Sequence, residues 1–308
     1  MKVLDDPWQD WTEATGRSSV TIGVLDGVHT GHRALLARLD DSMTRTALTF
    51  DPHPVEVLRP GTPPRLITTI EERVELLDSA GVECVGVLDL AEIKEQSPRE
   101  FVKSVLVERL GVGRLVVGMD FRFGKDRSGD VQMLARLGRE IGFEVETLDL
   151  ITDDLLVISS SRIRDLIETG EVAIASTLLE TWFTVTNTVI DGDKRGRDIG
   201  FPTANIRPPH RKVVPGTGVY SCFASVGGAR HDAAVNVGYR PTFGGGELLI
   251  EAHILDFDDE IYGDDLTLEF VEYTRPELKF SGVEELVAQM EKDVARSRVV
   301  LEQARSRI

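Results

Sequence analysis

The sequence predicts an α/β protein with two domains: an N-terminal doubly wound parallel sheet and a C-terminal small antiparallel β-barrel with a covering helix. Up to about residue 182, apolar segments with strand character alternate with segments of helical periodicity, which is typical of a parallel sheet with crossover helices. Beyond that point the apolar segments are short and follow one another without helices between them, which indicates an antiparallel sheet. We therefore expect one domain over residues 1–182 and a second over residues 183–308.

The composition is that of a globular protein with room for two cores. A chain of 308 residues with 41% hydrophobic content can form two cores. The net charge of −17 argues against nonspecific binding to nucleic acid or anionic membranes, although screening over about 8 Å leaves local clusters of cations effective. The two cysteines lie in different halves, and the sequence contains neither a signal peptide nor the roughly 18 uninterrupted apolar residues of a membrane span. We therefore expect a cytoplasmic protein without nucleic-acid or membrane partners.

The first strand of the N-terminal domain leads into a turn that contains two histidines. Residues 19–25 are predicted to form a strand and residues 31–39 a helix, with His29 and His32 at the junction. The start of a helix presents free N–H groups, and imidazoles beside them can donate hydrogen bonds to phosphate oxygens, more strongly when they are protonated. An incidental surface pair and a metal site are the alternatives, although no third ligand follows at the spacing of a metal site.

The other strands of this domain are expected at alternating apolar segments, residues 46–50, 84–88, 114–117 and 144–150. The first of these ends in Asp51-Pro52-His53-Pro54, where two prolines predict a loop. Capping signals predict one helix from Thr68-x-x-Glu71 to Gly81 and another from Ser97-x-x-Glu100 to Gly111. Ligands of such a sheet bind beyond the carboxyl ends of its strands, where the histidine turn and the proline loop both lie.

Two further loops of the N-terminal domain have the composition of nucleotide-binding segments. Residues 120–130 combine glycines with cations, as a closing flap requires, although an ordinary loop has the same composition. Residues 159–164 place serines and arginines at the start of a helix that runs to about Thr169, and their hydroxyls, free N–H groups and guanidinium groups can together bind an anion. A plain helix cap with solvated arginines is the alternative for this second loop.

The C-terminal domain is predicted to contain short strands and one final helix. The strands are expected at the alternating segments, residues 183–190, 218–226, 232–237, 248–255 and 266–273. Ser281-x-x-Glu284 begins a helix whose apolar residues follow helical spacing. We expect this helix to cover the barrel.

Residues 192–206 of the C-terminal domain have the features of a polyphosphate site. The segment opens with glycines and cations, which allow a backbone to approach phosphates closely, and it becomes stiffer at Pro202. In extended chain Thr203 and Asn205 point to the same side, and their oxygens suit Mg²⁺, which usually also keeps substrate phosphates among its ligands. A surface loop rich in turn-forming residues is the alternative.

Several segments resemble known enzyme families. Residues 192–206 resemble the ATP- and magnesium-binding segment of riboflavin kinases, and later segments match the same family at residues 215–220, 236–243 and 251–263. Residues 23–32 resemble the HxGH signature of nucleotidyltransferases in its flavin adenylyltransferase form, with Leu25 where that family usually has Phe. Further matches to this family follow in order at residues 49–54, 120–130 and 159–164, with Val157 where some relatives carry a basic residue.

From these segments the chain is identified as a member of the family of bifunctional riboflavin kinase/FMN adenylyltransferases, also called FAD synthetases. The resemblance implies two steps. The C-terminal domain would phosphorylate riboflavin to FMN, and the N-terminal domain would join FMN to AMP, which gives FAD and pyrophosphate. It also implies ATP as co-substrate and Mg²⁺ as cofactor. Two alternatives stay open: a riboflavin kinase with a weakened or inactive adenylyltransferase half, and a flavin-binding protein without catalysis.

The resemblance also implies roles for individual residues. Glu251 is expected to act as the base of the kinase step, Thr203 and Asn205 to bind Mg²⁺, and His29 and His32 to stabilise charge on the triphosphate. Thr203 and Asn205 also belong to the residues expected to bind nucleotide, which include Gly23, Asp26, Asp120, Ser160, Ser161, Arg164, Gly192, Lys194, Gly196, Arg197, Gly200 and Pro202. The residues expected to bind flavin are His53, Pro54, Phe121, Arg122 and Phe123.

Overall fold

The computed structural model describes residues 1–11, 16–154, 156–192, 196, 199–240 and 246–306. The chain divides into two compact units, residues 1–160 and residues 161–308. Each unit has a six-stranded sheet of its own. The domain boundary expected at residue 182 stays a prediction.

The first unit is built on a parallel sheet with helices on both faces. Its strands are β1 (Lys2–Leu4), β2 (Ser18–Ile22), β3 (Thr44–Phe50), β4 (Cys84–Leu88), β5 (Val112–Gly118) and β6 (Glu144–Leu148). Its helices are α1 (Thr30–Leu36), α2 (Pro54–Leu58), α3 (Ile70–Ser79), α4 (Leu90–Ile93), α5 (Pro98–Phe101) and α6 (Val131–Ile141), and α5 continues as a π-helical segment over Val102–Val107. The strand order is β1-β4-β3-β2-β5-β6, and every pairing is parallel. A short hairpin of β7 (Thr152–Asp153) and β8 (Leu156–Val157) follows.

Alternate residues of the central strands are buried on opposite faces of this sheet. Val85 and Val116 belong to one buried cluster together with Leu77 of α3. Leu115, next to Val116 in β5, belongs to a second cluster together with Leu134 of α6. A sheet that is covered on both faces in this way is doubly wound, so the predicted fold of the first unit is confirmed.

Two predicted boundaries in this unit are corrected by tertiary contacts. The first strand ends at Ile22 rather than at residue 25, because Leu25 has a left-handed backbone with φ of 53°, which no strand residue adopts. Helix α3 is capped by Thr69 and Glu72 in a capping box rather than by Thr68 and Glu71. The hydroxyl of Thr68 is already used, since it donates to the carboxylate of Asp26 at 3.1 Å.

The loop predicted after β3 is shorter than expected. Pro54 is the first residue of α2, and His53 is its N-cap, with the Nδ1 atom of His53 accepting a hydrogen bond from the N–H of Val55 at 3.1 Å. Proline favours the first position of a helix because its missing N–H would have no partner there. The second proline therefore starts a helix instead of extending the loop.

The second unit contains a curled antiparallel sheet and several helices. The helices are α7 (Ser160–Glu168), α8 (Val172–Leu179) and α9 (Val283–Ala304). The strands are β9 (Phe183–Thr188), β10 (Ala204–Ile206), β11 (Gly218–Val226), β12 (Ala229–Arg240), β13 (Glu247–Ile254) and β14 (Asp265–Arg275). Their order is β10-β13-β12-β11-β14-β9, and every pairing is antiparallel. An isolated antiparallel bridge between Ile190, just after β9, and Asn205 of β10 joins the two ends of this order.

Helix α9 covers one face of this sheet, as predicted. Val300 and Leu301 of α9 are buried in one cluster with Phe223 of β11 and Val271 of β14. The neighbours of Phe223 in β11, Cys222 and Ala224, are also buried, because the inward face of the curled sheet forms a second part of the core. Strand β11 is therefore apolar on both faces.

Candidate active sites

The histidine turn between β2 and α1 has a strained backbone. Leu25 and Val28 have φ of 53° and 42°, in the left-handed region that residues other than glycine rarely occupy and β-branched residues least of all. Gly27 between them has φ of 84°. The N–H of Val28 donates to the carbonyl oxygen of Leu25 at 3.0 Å, and the chain then enters α1 with His29 as its N-cap. Such a conformation persists only where the surrounding structure holds it in place.

The two predicted histidines lie together at the start of α1. Their rings are stacked, with centroids 3.7 Å apart and an interplanar angle of 18°. The Nδ1 atoms of both rings are buried and have no hydrogen-bond partner within the part of the chain that the structure describes. Gly31 permits this arrangement, because a Cβ atom at that position would lie 3.1 Å from Cε1 of His29. The structure therefore brings His29 and His32 together and leaves polar atoms on them that a ligand could satisfy.

Burial keeps both imidazoles neutral at pH 7. It lowers the pKa of His29 from its ordinary value of 6.5 to about 4, although the nearby carboxylate of Asp26 acts in the opposite direction. The pKa of His32 is also well below its ordinary value, because of burial first and then of the charges of His29 and Arg73. In the protein alone each imidazole can therefore donate through one nitrogen only, because a neutral imidazole carries a single N–H.

Asp26 holds the turn from within the protein. Its side chain is fully buried, and its carboxylate accepts hydrogen bonds from the N–H groups of Ile67 and Thr68 and from the hydroxyl of Thr68, at 2.9 to 3.1 Å. The N–H of Gly27 donates to the same hydroxyl at 3.1 Å. The carboxylate oxygens of Asp26 are thus engaged with the protein and shape the turn, and the role of Asp26 in nucleotide binding stays a prediction.

Two other predicted nucleotide-binding residues lie at the ends of central strands. Gly23 follows β2 directly, and its N–H donates to the carbonyl oxygen of Leu48 in β3 at 3.1 Å. A Cβ atom at Gly23 would lie 3.3 Å from Cδ2 of Leu25, so the absence of a side chain helps the turn to fold back. Asp120 is exposed just beyond the carboxyl end of β5. Both positions are at the edge of the sheet where ligands of this fold bind.

The residues predicted to bind flavin divide into a buried and an exposed set. His53 and Phe123 are buried, with exposed fractions of 9% and 6%. The ring of Phe123 stacks on that of Phe121 with centroids 5.6 Å apart, and Phe121 is only half-buried. Arg122 is exposed, and its Nη1 donates to the carbonyl oxygen of Phe121 at 2.9 Å. Phe121 and Arg122 are thus accessible to a ligand, whereas Phe123 is buried and packs against the ring of Phe121.

The serine–arginine segment, residues 159–164, crosses the boundary between the two units after Ser160. The hydroxyl of Ser160 donates to the carbonyl oxygen of Asp26 at 3.0 Å, which connects this segment to the histidine turn. Ser161 and Arg164 belong to the second unit, where Nη1 of Arg164 donates to the hydroxyl of Ser161 at 3.4 Å. The roles of Ser161 and Arg164 in nucleotide binding stay predictions.

The second unit has a cavity of about 370 Å³, and most of the described residues of the predicted ATP- and magnesium-binding segment line it. Gly192, Gly196, Pro202, Thr203 and Asn205 line this cavity. Sequence reasoning thus selected residues that the fold places around one space.

Three other residues of the same segment were predicted to bind nucleotide. Gly200 has φ of 85°, so it provides a left-handed turn before Pro202. Lys194 and Arg197 lie outside the described residues.

The two glycines of the cavity are required by close packing. A Cβ atom at Gly192 would overlap the side-chain amide of Asn205. A Cβ atom at Gly196 would overlap the carbonyl oxygen of Phe201 and would lie 3.7 Å from Oγ1 of Thr203. Gly192 therefore packs against Asn205 and Gly196 lies near Thr203, the two residues that were predicted to bind the metal ion.

Glu251 lies on the strand that pairs with β10. It is directly opposite Asn205 in that pairing and directly opposite Asn236 of β12 on its other side. Residues directly opposite one another in antiparallel strands share a face of the sheet, with Cβ atoms about 4.5–5.5 Å apart. Glu251 is half-buried and stands beside the cavity rather than in its lining. The predicted base and a predicted metal ligand are thus neighbours.

Three consecutive acidic residues of the cavity were not predicted individually. Asp258, Asp259 and Glu260 line it, together with Tyr262. The run of three carboxylates after Phe257 was a signal in the sequence, within a segment that matched riboflavin kinases as a whole. Since side chains rich in oxygen face Thr203 and Asn205 here, the cavity has the chemistry of a site for a divalent cation with a polyphosphate.

Comparison with known proteins agrees with both sites. Residues 12–162 match the family described as FAD synthetase, and residues 179–301 match the family described as riboflavin kinase. The bifunctional riboflavin kinase/FMN adenylyltransferase of Listeria monocytogenes is 39% identical over 94% of this chain and 93% of its own length. The protein of the same name from Bacillus subtilis is 35% identical over 91% of this chain and 92% of its own.

The fold also has a close match among solved structures. A crystal structure described as a macrolide-efflux protein from Streptococcus pneumoniae superposes with a TM-score of 0.89 and 28% identity, and it covers 97% of this chain and 99% of that one. Helices long and apolar enough to cross a membrane are not found among the described residues of our chain.

Fold, sites and comparisons together define an enzyme with a nucleotidyltransferase-like domain and a flavin kinase domain. The chain belongs to the family of bifunctional riboflavin kinase/FMN adenylyltransferases.

Proposed function

We propose that the second unit transfers the γ-phosphoryl group of ATP to the ribityl 5′-hydroxyl of riboflavin, and that the first unit then transfers AMP from a second ATP to the FMN formed. The observation that carries this proposal is the cavity beside β10. It brings together the glycines of the phosphate loop with Thr203 and Asn205, next to Glu251. Family membership supports the pair of reactions as a whole.

In the kinase step, Glu251 would accept the proton of the attacking hydroxyl. Phosphoryl transfer depends mainly on positioning and on neutralisation of charge, but the proton of the nucleophile must still leave. A half-buried carboxylate beside the cavity meets this need. Gly192 and Gly196 would let the backbone approach the phosphates, because neither position leaves room for a side chain.

The chemistry of the cavity fits Mg²⁺. Thr203 and Asn205 would hold the ion, and the carboxylates of Asp258, Asp259 and Glu260 line the same space. Mg²⁺ usually keeps substrate phosphate oxygens among its ligands, so these side chains would share the ion with ATP. When bound, the ion would neutralise charge on the phosphate oxygens.

In the adenylyl step, the phosphate of FMN is itself the nucleophile, so no strong base is required. His29 and His32 would donate hydrogen bonds to the triphosphate and stabilise the charge that develops on the departing pyrophosphate. Their unpartnered Nδ1 atoms support this role. Ser160 would contribute a further donor, and Phe121 would offer its ring to the flavin.

Leu25 supports an intact adenylyltransferase site, although the family usually has Phe at this position. Its side chain is fully buried, so the substitution keeps an apolar residue where the fold needs one. The substrates, the net charge of −17 and two free, buried cysteines support a cytoplasmic enzyme with small-molecule partners and no nucleic-acid partner.

Chromatography of the products made from riboflavin, ATP and Mg²⁺ tests the proposal. We expect FMN to form first and FAD with pyrophosphate to follow. Accumulation of FMN without FAD would instead indicate a kinase whose adenylyltransferase half is inactive. Binding of riboflavin without any product would indicate a flavin-binding protein without catalysis.

A further inference from the structure

A buried arginine connects the histidine turn to the end of β3. Arg73 is the only basic residue of α3, and its side chain is 3% exposed. Its Nη1 donates to the hydroxyl of Thr49 at 3.1 Å and to the carbonyl oxygen of Phe50 at 3.2 Å. Thr49 and Phe50 are the last two residues of β3. Its other nitrogens face Thr68, with Nη2 at 3.4 Å from the carbonyl oxygen and Nε at 3.5 Å from the hydroxyl.

The same guanidinium interacts with the histidine turn in two ways. Its Nη2 is 3.8 Å from the carboxylate of Asp26, which forms a buried ion pair. The hydroxyl of Thr49, which accepts from Arg73, donates to the carbonyl oxygen of Val24 at 2.7 Å. Arg73 therefore contacts the turn through Asp26 and through Thr49, while it also binds β3 and the segment before α3.

A guanidinium is costly to bury, so its retention needs a reason. Burial lowers the pKa of Arg73, but an arginine stays charged in proteins, and Asp26 opposes the effect. An apolar side chain could fill the same space with less desolvation, but it could not join three separate segments by hydrogen bonds. The planar fork of arginine can do so, because its donors point in fixed directions.

The segments that Arg73 joins carry the two sides of the adenylyltransferase site. The turn is strained at Leu25 and Val28, and it presents His29 one residue later. The end of β3 leads within three residues to His53, a predicted flavin-binding residue. A strained turn keeps its conformation only while buried contacts fix it, and Arg73 and Asp26 supply those contacts.

We propose that Arg73 is a positioning residue for adenylyl transfer, which holds the nucleotide side and the flavin side of the site in one frame without touching either substrate. The inference rests on the proposed FMN adenylyltransferase function of the first unit. Loss of the fork would let the histidine turn shift relative to β3. A displacement of about 1 Å can lower a rate by about 100-fold.

The test compares Arg73→Gln and Arg73→Lys in the full chain with the matched control Arg99→Gln. Arg99 is an arginine of the same unit whose side chain is 59% exposed and pairs with Glu140. Two rates are measured on each preparation: FMN formation from riboflavin and FAD formation from FMN. The kinase rate serves as an internal measure of active protein, because that reaction belongs to the second unit.

We expect Arg73→Gln to lower kcat for FAD formation by about 100-fold while KM for ATP changes less than about threefold, because the residue does not contact substrate. Arg73→Lys should restore part of the rate, since it keeps the charge but lacks the fork. The rate of FMN formation should be unchanged in all variants, and Arg99→Gln should match the parent in both reactions.

Three results would overturn the proposal. One is a kcat of Arg73→Gln within about twofold of the parent, and another is a higher KM for ATP at unchanged kcat. The third is a lower melting temperature with unchanged kcat per folded molecule, which would indicate a structural role only.

A second variant covers the case in which Arg73→Gln does not fold. Thr68→Val removes the hydroxyl that contacts Asp26, Gly27 and Arg73 and must then show the same loss of kcat. An unchanged kcat in Thr68→Val would overturn the proposal as well. A parent chain that makes FMN but no FAD would contradict the proposed function itself, and the positioning role would fall with it.

Discussion

Asn205 and Glu251 stand directly opposite each other in the pairing of β10 with β13, on one face of the sheet. Asn205 is buried and lines the cavity, whereas Glu251 is half-buried at its side. An amide oxygen that can bind a cation and a carboxylate that can accept a proton are thereby fixed by backbone pairing rather than by loops. Phosphoryl transfer benefits from such placement, because positioning supplies most of its catalysis.

Glu251→Gln should remove the kinase step alone. The amide keeps the size of the side chain but cannot accept the proton, so we expect FMN formation to fall by at least about 100-fold. FAD formation from supplied FMN should be unchanged. Glu247→Gln is the control, because Glu247 stands on the same face of the same strand and pairs with Arg207 instead. Full FMN formation in Glu251→Gln would remove Glu251 from the mechanism.

Gly192→Ala should damage the same site by a different route. The added methyl group would overlap the amide of Asn205, so either the loop or Asn205 must move. We expect kcat/KM for ATP in the kinase step to fall by about tenfold or more, with adenylyl transfer unaffected. Gly282→Ala is the matched control, since no atom lies within 4 Å of its position and its φ is −168°. Equal kinase rates in both variants would contradict the close packing of Gly192 against the side-chain amide of Asn205.

The buried histidines should make the first unit less stable as the pH falls. The pKa of His29 is about 4 in the folded chain and 6.5 in an unfolded one, so below pH 6.5 the unfolded state binds a proton that the folded state does not. Stability is therefore fully present above pH 6.5 and decreases toward pH 4. Between pH 7.5 and 5.5 the contribution of His29 is about 1 kcal/mol, and His32 adds to it with the same sign.

Urea unfolding of the parent and of His29→Asn at these two pH values measures this contribution, and the range stays above the pI of about 4.8. The parent should lose more stability than the variant on acidification. His210→Asn, at an exposed position, should behave like the parent. An equal pH dependence in the parent and in His29→Asn would contradict the buried, neutral state of the ring.

Asp293→Asn should destabilise the second unit. The carboxylate of Asp293 in α9 accepts hydrogen bonds from Nε and Nη2 of Arg275 at 2.6 to 3.1 Å, and one from Gln289 at 2.9 Å, and it is 8% exposed. Removal of the carboxylate leaves the largely buried guanidinium of Arg275, 16% exposed, without its counter-charge, so we expect the free energy of unfolding to decrease by about 3 kcal/mol.

The control for Asp293 is Glu302→Gln on the same helix. Glu302 pairs with Arg305, and the two side chains are 76% and 48% exposed, so its removal should cost less than about 1 kcal/mol. Denaturant unfolding of the two variants gives both values. Similar losses at the two positions would mean that α9 does not depend on the buried pair.

The sequence predicted those features that depend on local chemistry. Strand β4 and strand β11 were predicted with their observed bounds, because their apolar runs end at clear turn signals. The capping box of Ser97 and Glu100 with Pro98 at the first helical position is also confirmed. Motif order placed most of the described kinase-loop residues around one cavity.

The features that were missed depend on contacts between distant segments. Thr68 has the sequence of a helix cap, but its hydroxyl is engaged by Asp26, 42 residues away in the chain, so the cap moved to Thr69. Neutral histidines follow from burial, which the spacing of two histidines cannot reveal. Strands β1 and β10 have three residues each, which is too short for alternation to be recognised.

The bridge between Ile190 and Asn205 makes the kinase centre depend on closure of the ring of strands. Every ladder between neighbouring strands could be complete while the two ends of the strand order were still apart. Asn205 would then keep its pairing with β13 but would lack the hydrogen bond that its carbonyl oxygen accepts from the N–H of Ile190 at 2.8 Å. The rate of riboflavin phosphorylation should therefore depend on whether the two ends of the strand order are joined. The amount of strand structure alone does not reveal this, because the strands can be formed while the ends are apart. During gentle heating, this activity should disappear before the circular dichroism of the strands changes.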